Sequence, residues 1–341
     1  MAKFSRRDFL RISSAALGAA TLGKFLAACS GPVSGTSQPI VASPLTMTPA
    51  GLATGTIPNT NTAPAATVTQ PNLPDVAVIR GPAPEDLVRR AVAALGGMER
   101  FVARGANVVV KPNICVAYHG YEYAATTNPW VVSTLVKMCF EAGASRVQVM
   151  DYPFGGTQQA AYTISGIKKQ VEAVGGEMVQ MPLFKFVTTA IPNAIHLKQA
   201  NIFEDVLKAD VVINVPIAKV HDLSRLTLGM KNLMGVVRDR PVLHSHISQN
   251  LADLASLVRP KLTVVDAVRV MVSNGPTGGS LDDVKKLDTV IASPDIVAAD
   301  SYAATLFGLR PNDLGYIVAG TGMGLGRSDL QNLRIEEITV S

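Results

Sequence analysis

The sequence contains only one tryptophan, 17% charged residues and no long run of lysine and arginine. Its net charge of +5 is concentrated at the front, because residues 1–29 alone contribute +4. The remaining chain is nearly neutral and lacks both the phosphate-neutralising patch and the aromatic platform that nucleic-acid binding requires. We therefore expect no nucleic-acid partner. With 48% hydrophobic residues, the 341-residue chain can nevertheless bury a substantial core.

Cysteine is equally scarce, with three residues in the chain. This number is too small for a four-cysteine zinc site or a cysteine-ligated iron–sulfur cluster, so an iron–sulfur cofactor is not expected. In an oxidising compartment, Cys115 and Cys139 would be able to form a disulfide. Because Cys139 falls on the apolar face of a predicted helix, the pattern favours two free and buried thiols instead.

Nucleotide-binding and nucleophile motifs are also missing. The sequence has no dinucleotide fingerprint after its first predicted strand, no Gly-Lys-Ser/Thr of a P-loop and no Gly-x-Ser-x-Gly elbow. Glycine-rich segments at 275–279 and 320–326 are predicted to be flexible turns. The sequence alone therefore marks no serine or cysteine as a nucleophile.

An export signal is predicted at the N-terminus. The hexapeptide 5–10, Ser-Arg-Arg-Asp-Phe-Leu, resembles the twin-arginine signal, with Arg6 and Arg7 as the paired arginines. The small and apolar residues that follow are interrupted by Lys24, which is typical of a removable signal rather than of a membrane-spanning helix. The resemblance implies the twin-arginine export machinery as a partner.

A lipid anchor and a tether are predicted next. Residues 26–29, Leu-Ala-Ala-Cys, resemble a lipobox, which implies that the signal peptide 1–29 ends at a lipidated Cys29. Residues 30–74 contain no charged side chain and are rich in Thr, Pro, Ala and Ser, which predicts a flexible linker. We expect an extracytoplasmic protein held to the membrane by its N-terminal lipid. The alternative is an ordinary cleavage site, which would release a soluble secreted or periplasmic protein.

Short apolar strands alternate with helices in the rest of the chain. Strands are predicted at 76–79, 107–110, 146–150, 210–215, 262–265 and 289–292. Helices are predicted at 84–95, 129–141, 247–257, 294–307 and 312–319. This alternation is typical of crossover units, so residues 75–341 are predicted to form an α/β domain with a largely parallel sheet flanked by helices. Two β-like runs within 186–197, around Pro192-Asn193, predict a hairpin at an edge.

Six ordered blocks of this body carry polar residues, most of them where predicted strands end. They are Lys111-Pro112-Asn113, Val149-Met150-Asp151, residues 213–221, 231–235 and 264–267, and Ser293-Pro294-Asp295 with Asp300. Together they resemble the family catalogued as domain of unknown function 362. The resemblance implies a fold and a set of candidate positions without an agreed reaction. Some members carry ferredoxin-like cysteine clusters, which this chain lacks.

Three of the five histidines, His221, His244 and His246, follow the predicted strand at 210–215. Histidine is the commonest metal ligand and the usual proton carrier near neutral pH. We predict that His221 carries a proton in catalysis. His244 and His246 would project to one side of an extended segment and assist it or hold a divalent metal, although their spacing is not that of a zinc motif. The alternative is that all three are ordinary polar loop residues.

Several lysines, asparagines and aspartates complete the predicted site. Lysine supplies a compact charge that suits carboxylate or phosphate, and asparagine can orient such a ligand by hydrogen bonding. The predicted catalytic residues are His221, Lys219 and Lys231. The predicted substrate-binding residues are Lys111, Asn113, Asn232, Asp151 and Asp266. The alternatives are a solvated rim for the lysines and the capping of turns for the aspartates.

Two functional hypotheses follow from these residues. The first is an enzyme outside the cytoplasm that acts on a small anionic substrate, a carboxylate or a phosphate. The second is a tethered lipoprotein that captures an anion or a metal without catalysis. The combination of strand-end lysine and histidines is loosely similar to lactate-racemase-like proteins, but this is an analogy between folds that decides no reaction.

Overall fold

The computed structural model describes residues 73–341. The predicted signal with Arg6 and Arg7, the lipidated Cys29 and nearly all of the predicted linker lie outside the described residues. Within residues 73–341, no helix combines the length and the apolar character that a membrane crossing needs. The two cysteines of this part, Cys115 and Cys139, are both buried and free.

The described chain contains twelve strands. They are β1 (Val76–Arg80), β2 (Asn107–Pro112), β3 (Arg146–Val149), β4 (Glu177–Met178), β5 (Phe186–Ala190), β6 (Gln199–Phe203), β7 (Val211–Val215), β8 (Ile217–His221), β9 (Arg225–Thr227), β10 (Leu262–Met271), β11 (Val284–Ser293) and β12 (Ile335–Thr339).

The described chain also contains ten α-helices, joined by short 3-10 turns. They are α1 (Pro84–Ala94), α2 (Pro129–Glu141), α3 (Gln158–Ile164), α4 (Ile167–Ala173), α5 (Glu204–Lys208), α6 (Gly229–Asn232), α7 (Pro241–His244), α8 (Ile247–Val258), α9 (Ile296–Thr305) and α10 (Gly315–Gly322).

Ten of the strands form one mixed sheet with the order β12-β1-β11-β10-β7-β2-β3-β4; in addition, β8 pairs with β10, and β9 pairs with β8. The neighbours from β10 to β4 all run parallel, whereas β11 is antiparallel to both β1 and β10. The carboxyl ends of β2, β3 and β7 therefore meet at one edge of the sheet. This arrangement confirms the predicted α/β fold with a largely parallel sheet.

Helices cover both faces of the sheet, which is why the central strands are apolar throughout. Alternate residues of β2 belong to different cores: Val108 and Val110 pack among α1 to α4, whereas Val109 packs among α8, α9 and α10. Local sequence fixes the helix starts. In α2, the side chain of Asn128 accepts a hydrogen bond from Trp130 N at 3.0 Å, and Pro129 occupies the first helical position.

The structure differs from the sequence-based expectations in several strands. The hairpin exists as β5 and β6, but its second strand begins at Gln199, beyond the predicted segment, and the pair forms a separate two-stranded sheet. Strands β10 and β11 have ten residues each, because their ends pair with each other beyond the core. The hairpin of β8 and β9 was not predicted, since its polar residues mask the strand pattern.

Candidate functional site

Three polar residues stand at the carboxyl ends of neighbouring parallel strands. Lys111 at the end of β2 lies in register with Asn214 of β7, and Asp151 follows β3 on the other side. All three side chains are buried, with exposed fractions of 0 to 3%. Parallel strands bring their carboxyl ends to one edge, where open α/β sheets bind ligands. These polar strand ends therefore converge at one edge of the sheet.

The ammonium group of Lys111 contacts only protein atoms. Its Nζ lies 2.8 Å from Asp151 Oδ1 and donates to Asn232 Oδ1 and Pro112 O, both at 2.9 Å. These contacts use all three donors of the ammonium group, so none is left for a substrate. The predicted substrate contact of Lys111 is corrected to a positioning role. We call Lys111, Asp151 and Asn232 the paired floor of the site.

Asparagines extend the paired floor toward solvent. Asn232 Oδ1 accepts from Lys111 and from Asn113 Nδ2, each at 2.9 Å, while its Nδ2 donates to Asn214 Oδ1 at 2.8 Å. Asn113 Oδ1 in turn accepts from Lys219 Nζ at 3.1 Å. Asn232 Nδ2 also donates to Lys111 O at 3.2 Å, so this amide is fully engaged and holds Lys111 in place. Asn113 uses only one of its two Nδ2 hydrogens, on Asn232, and its side chain lines the cavity.

A cavity of about 710 Å³ opens above the paired floor. Most of the predicted site residues line it, including Lys111, Asn113, Asp151, Lys219, His221, Lys231, Asn232 and His244. Arg238 also lines it but is exposed. Arg225 does not line it, because its guanidinium donates to Asp313 O at 2.9 Å on another surface.

Lys219, Lys231 and Arg240 form what we call the cationic wall of this cavity. Lys219 is 1% exposed and donates to Asn113 Oδ1 and to Ala125 O at 2.6 Å, both neutral oxygens. Within residues 73–341, no carboxylate oxygen lies within 4.0 Å of a charged nitrogen of any of the three. The one carboxylate of the cavity, Asp151, is already bound to Lys111.

Lys231 is the least satisfied member of the cationic wall. It is 9% exposed, and in the described part of the chain its ammonium group makes neither a hydrogen bond nor an ion pair. Burial and then the charge of Lys219 lower the pKa of Lys231 to about 8. Its amine therefore exchanges protons close to neutral pH, as a catalytic base or acid must.

Arg240 completes the wall from the segment before α7. Its guanidinium donates to Pro153 O at 3.1 Å and lies 5.0 Å from the ring centroid of Tyr152. Burial lowers the pKa of Arg240, against the opposing influence of Asp151 and Tyr152. The remaining donors of the guanidinium suit bidentate binding of a carboxylate or phosphate.

His221 enters the cavity from the end of β8. Burial, followed by the charges of Lys231 and Lys219, lowers the pKa of His221 to about 3. Its Nδ1 accepts a hydrogen bond from Leu223 N at 3.1 Å, which leaves the proton of the neutral ring on Nε2. His221 is therefore a neutral hydrogen-bond donor rather than an imidazolium.

His244 and His246 do not act as a pair. His244 ends α7 and lines the cavity, whereas His246 precedes α8 outside it, with its ring 3.9 Å from that of His196. The expected extended geometry fails because a helix ends between the two residues. In the described range 73–341, no group of three or more His, Cys, Asp and Glu side chains is arranged to hold a metal ion.

Asp266 was predicted to bind substrate, but it lies in the fold's interior, away from the cavity lining. Its carboxylate is 0% exposed and accepts from Asn128 N at 2.7 Å and Val268 N at 3.0 Å, which holds the chain that enters α2. Burial raises the pKa of Asp266 to about 6. We correct its role to structural anchoring.

Asp300, left open by the sequence, supports the site from behind. Its carboxylate accepts from Gly229 N and Met230 N at the start of α6, the short helix that carries Lys231 and Asn232. Burial raises the pKa of Asp300 to about 7. Asp300 is thus a positioning residue for the cationic wall.

Sequence reasoning missed two chemically active groups that line the cavity, Arg240 and Cys115. Arg240 follows Arg238 by two residues, so the same basic segment contained the signal. Cys115 follows the Lys111-Pro112-Asn113 block by two residues, but a single cysteine in an apolar segment carries no distinguishing pattern. Tyr152 and Phe154, which give the cavity an aromatic side, follow Asp151 directly.

Comparison with known proteins gives the chain its family. The model of the family described as domain of unknown function (DUF362) matches residues 108–305. The "Thylakoid-associated protein sll1697" of Synechocystis sp. is 27% identical over 248 residues, which covers 70% of this chain and 74% of that protein.

A solved structure gives a weaker match. The lactate racemase apoprotein from Thermoanaerobacterium thermosaccharolyticum aligns with a TM-score of 0.45 and 12% identity over 67% of this chain. The chain spans 56% of the length of that structure. Because the family model covers more than half of the sequence, this chain belongs to the family described as domain of unknown function (DUF362).

Proposed function

We propose that the protein is an enzyme that binds a small organic anion against the cationic wall and exchanges a proton with it through Lys231. The observation that carries the proposal is the presence of three cations, Lys219, Lys231 and Arg240, in one cavity without a carboxylate partner in the described residues. Burying an unpaired charge costs several kcal/mol, so such groups are retained where a ligand compensates them.

Size and lining favour an organic anion over a simple inorganic ion. A volume of about 710 Å³ falls in the range of pockets that hold cofactor-sized or drug-sized molecules. Tyr152 and Phe154 supply apolar surface opposite the charged groups. A carboxylate or phosphate group would meet Arg240 and Lys219, while the carbon skeleton would lie against the aromatic side.

Lys231 is the proposed proton-exchanging group, in place of His221. An amine with a pKa of about 8 holds a usable fraction of free base near neutral pH, whereas an imidazole with a pKa of about 3 is too weak a base. The proposed part of His221 is to donate its Nε2 hydrogen to the bound anion. Lys219 and Arg240 would stabilise negative charge that develops on the substrate.

Thermal unfolding with a defined set of anions tests binding. We expect at least one of acetate, succinate, citrate, phosphate and pyrophosphate, at equal ionic strength, to raise the melting temperature of the wild-type protein. Lys231→Met should remove most of that ligand-induced rise. Lys137→Met, the same change at an exposed lysine on α2, should leave it intact. Equal responses of the two variants, or no response to any anion, would contradict the proposal.

Proton exchange distinguishes the enzyme from a tethered binding protein, which is the second candidate. The complete use of the Lys111 and Asn232 donors by protein contacts favours that candidate, because a rigid, pre-formed receptor suits binding without catalysis. An anion that raises the melting temperature is incubated with the protein in deuterated water and followed by nuclear magnetic resonance. Exchange or conversion that is lost in Lys231→Met supports the enzyme, whereas an unchanged ligand supports binding alone.

Location outside the cytoplasm is part of the same proposal. The paired Arg6 and Arg7 and the lipobox ending at Cys29 support export and lipid anchoring. The name of one relative, "Thylakoid-associated protein", is consistent with the proposed location at a membrane. Fractionation of cells that produce the full chain tests it: the wild type should sediment with membranes, and Cys29→Ser should move to the soluble fraction.

A further inference from the structure

The two described thiols occupy opposite environments. Cys139 lies in the interior of α2 with 0% exposure, and burial raises its pKa to about 12, which makes it inert. Cys115 is 7% exposed, and the surface it shows faces the cavity above the paired floor. Both are free, so only their surroundings distinguish them.

Cys115 is held at a fixed place in the cavity. The amide of the preceding residue, Ile114, donates to Asp151 Oδ2 in the paired floor. The carbonyl of Cys115 accepts from Phe154 N at 3.1 Å, and its Sγ lies 3.7 Å from Pro276 O. The first two contacts fix the backbone at Cys115, and the third is a weak hydrogen bond that the thiol donates to Pro276 O, a residue of the cavity lining.

Lys231 and Arg240 line the same cavity as this thiol and give that cavity its positive charge. Lys231 is nine-tenths buried, lines the same cavity and has no partner in the described part of the chain. An unpartnered amine in the same cavity as a thiol is available as the base that a cysteine nucleophile needs.

We propose that Cys115 is a nucleophile of this cavity and that it reacts selectively with anionic electrophiles. The inference rests on the proposed function, since the cationic wall supplies the selectivity. In the reaction, the Cys115 thiol gives its proton to the neutral amine of Lys231. The thiolate sulfur then forms a bond to the electrophilic carbon, and the leaving group departs with the electrons of the broken bond.

Competing alkylation with iodoacetate and iodoacetamide tests the selectivity, because the two reagents differ mainly in charge. Each transfers its carbon to sulfur and releases iodide. The full chain is labelled in its folded state at pH 8, and peptide mapping by mass spectrometry measures each cysteine separately. We expect Cys115 to react at least about tenfold faster with iodoacetate, which corresponds to about 1.4 kcal/mol. Cys139 serves as the internal control and should remain unlabelled.

Two matched variants identify the origin of the preference. Lys231→Met should reduce the ratio of iodoacetate to iodoacetamide rates about tenfold, whereas Lys137→Met should not change it. High salt should reduce the ratio only weakly, because the cationic wall is buried. Circular dichroism and the melting temperature show whether each variant is folded.

The outcomes separate this inference from the proposed function. If Cys115 shows no preference for iodoacetate, or reacts with neither reagent, the inference is overturned even when anions still raise the melting temperature. If Cys115→Ser retains the ligand-induced rise in melting temperature and wild-type Cys115 prefers iodoacetate, both proposals stand. If no anion raises the melting temperature of the wild type, the proposed function fails by itself.

Discussion

The paired floor and the cationic wall use the same kind of side chain in opposite ways. In the paired floor, Lys111 is completely buried and each of its donors meets a protein oxygen. In the cationic wall, Lys231 directly precedes Asn232 of the paired floor and is almost as buried as Lys111. Its ammonium group nevertheless contacts no protein oxygen in the described structure. Burial alone therefore does not separate a structural lysine from a functional one.

The difference lies in where the compensating charge comes from. Asp151 supplies it for Lys111 within the protein, so that pair contributes to the fold and to the position of its neighbours. The cationic wall has no such partner in the described residues. Its unpaired charges therefore destabilise the folded protein when no anion is bound. Three variants test this contrast.

The largest effect is expected from removing the partner of Lys111. Asp151→Asn leaves a buried ammonium group without a carboxylate, which should lower the free energy of unfolding by about 3–5 kcal/mol. Urea unfolding measures the change. Glu141→Gln is the matched control, because Glu141 pairs with Arg89 on the surface and its loss should cost only about 0–1 kcal/mol. Similar decreases in the free energy of unfolding for the two variants would show that the Lys111–Asp151 pair contributes no more than a surface ion pair.

A somewhat smaller effect of opposite sign is expected from Lys231→Met. Burial lowers the pKa of Lys231 from 10.5 to about 8, which corresponds to a destabilisation of about 3 kcal/mol at pH 7. Without bound anion, the variant should therefore be more stable than the wild type at pH 7.

The same comparison has a defined pH dependence. Between pH 8 and 10.5 the unfolded lysine is protonated while the folded one is not, so the stability of the wild type rises with pH relative to Lys231→Met. The difference in free energy of unfolding between the two proteins, measured by urea unfolding, should therefore become smaller across this range. A difference in free energy of unfolding that stays constant across this range would mean that folding does not lower the pKa of Lys231.

The smallest of the three effects is expected from Gly235→Ala. A Cβ on Gly235 would collide with Asp151 Oδ1 and lie 2.8 Å from Lys111 Cε, so the pair would have to shift. We expect a loss of about 1–3 kcal/mol from this crowding. Gly279→Ala is the control, since a Cβ there has no neighbour within 4 Å among the described atoms. Thermal unfolding of both variants makes the comparison.

Much of the fold was predictable because it depends on local patterns. Strand β2 was predicted at 107–110 and helix α2 at 129–141, and both begin where expected. The placement of Lys111 and Asp151 at one sheet edge was predictable as well, since parallel strands must end together. Strands that depend on distant partners, such as the hairpin of β8 and β9, were missed.

The roles of individual residues were less predictable. Asp151 and Asp266 both end or interrupt apolar strands, yet one lines the cavity and the other anchors the chain that enters α2. His244 and His246 are two residues apart, yet only one reaches the cavity. Such outcomes depend on which backbone amides and helix ends happen to lie nearby in space.

The sequence by itself determined the α/β class, the family and the set of charged residues beyond the strand ends, because these depend on apolar periodicity and on short motifs. Only the tertiary structure decided that Lys111 is paired, that Lys231 is not, and that Arg240 and Cys115 join them. Charge compensation is a property of distances between residues far apart in the chain, and a linear pattern contains no such distances.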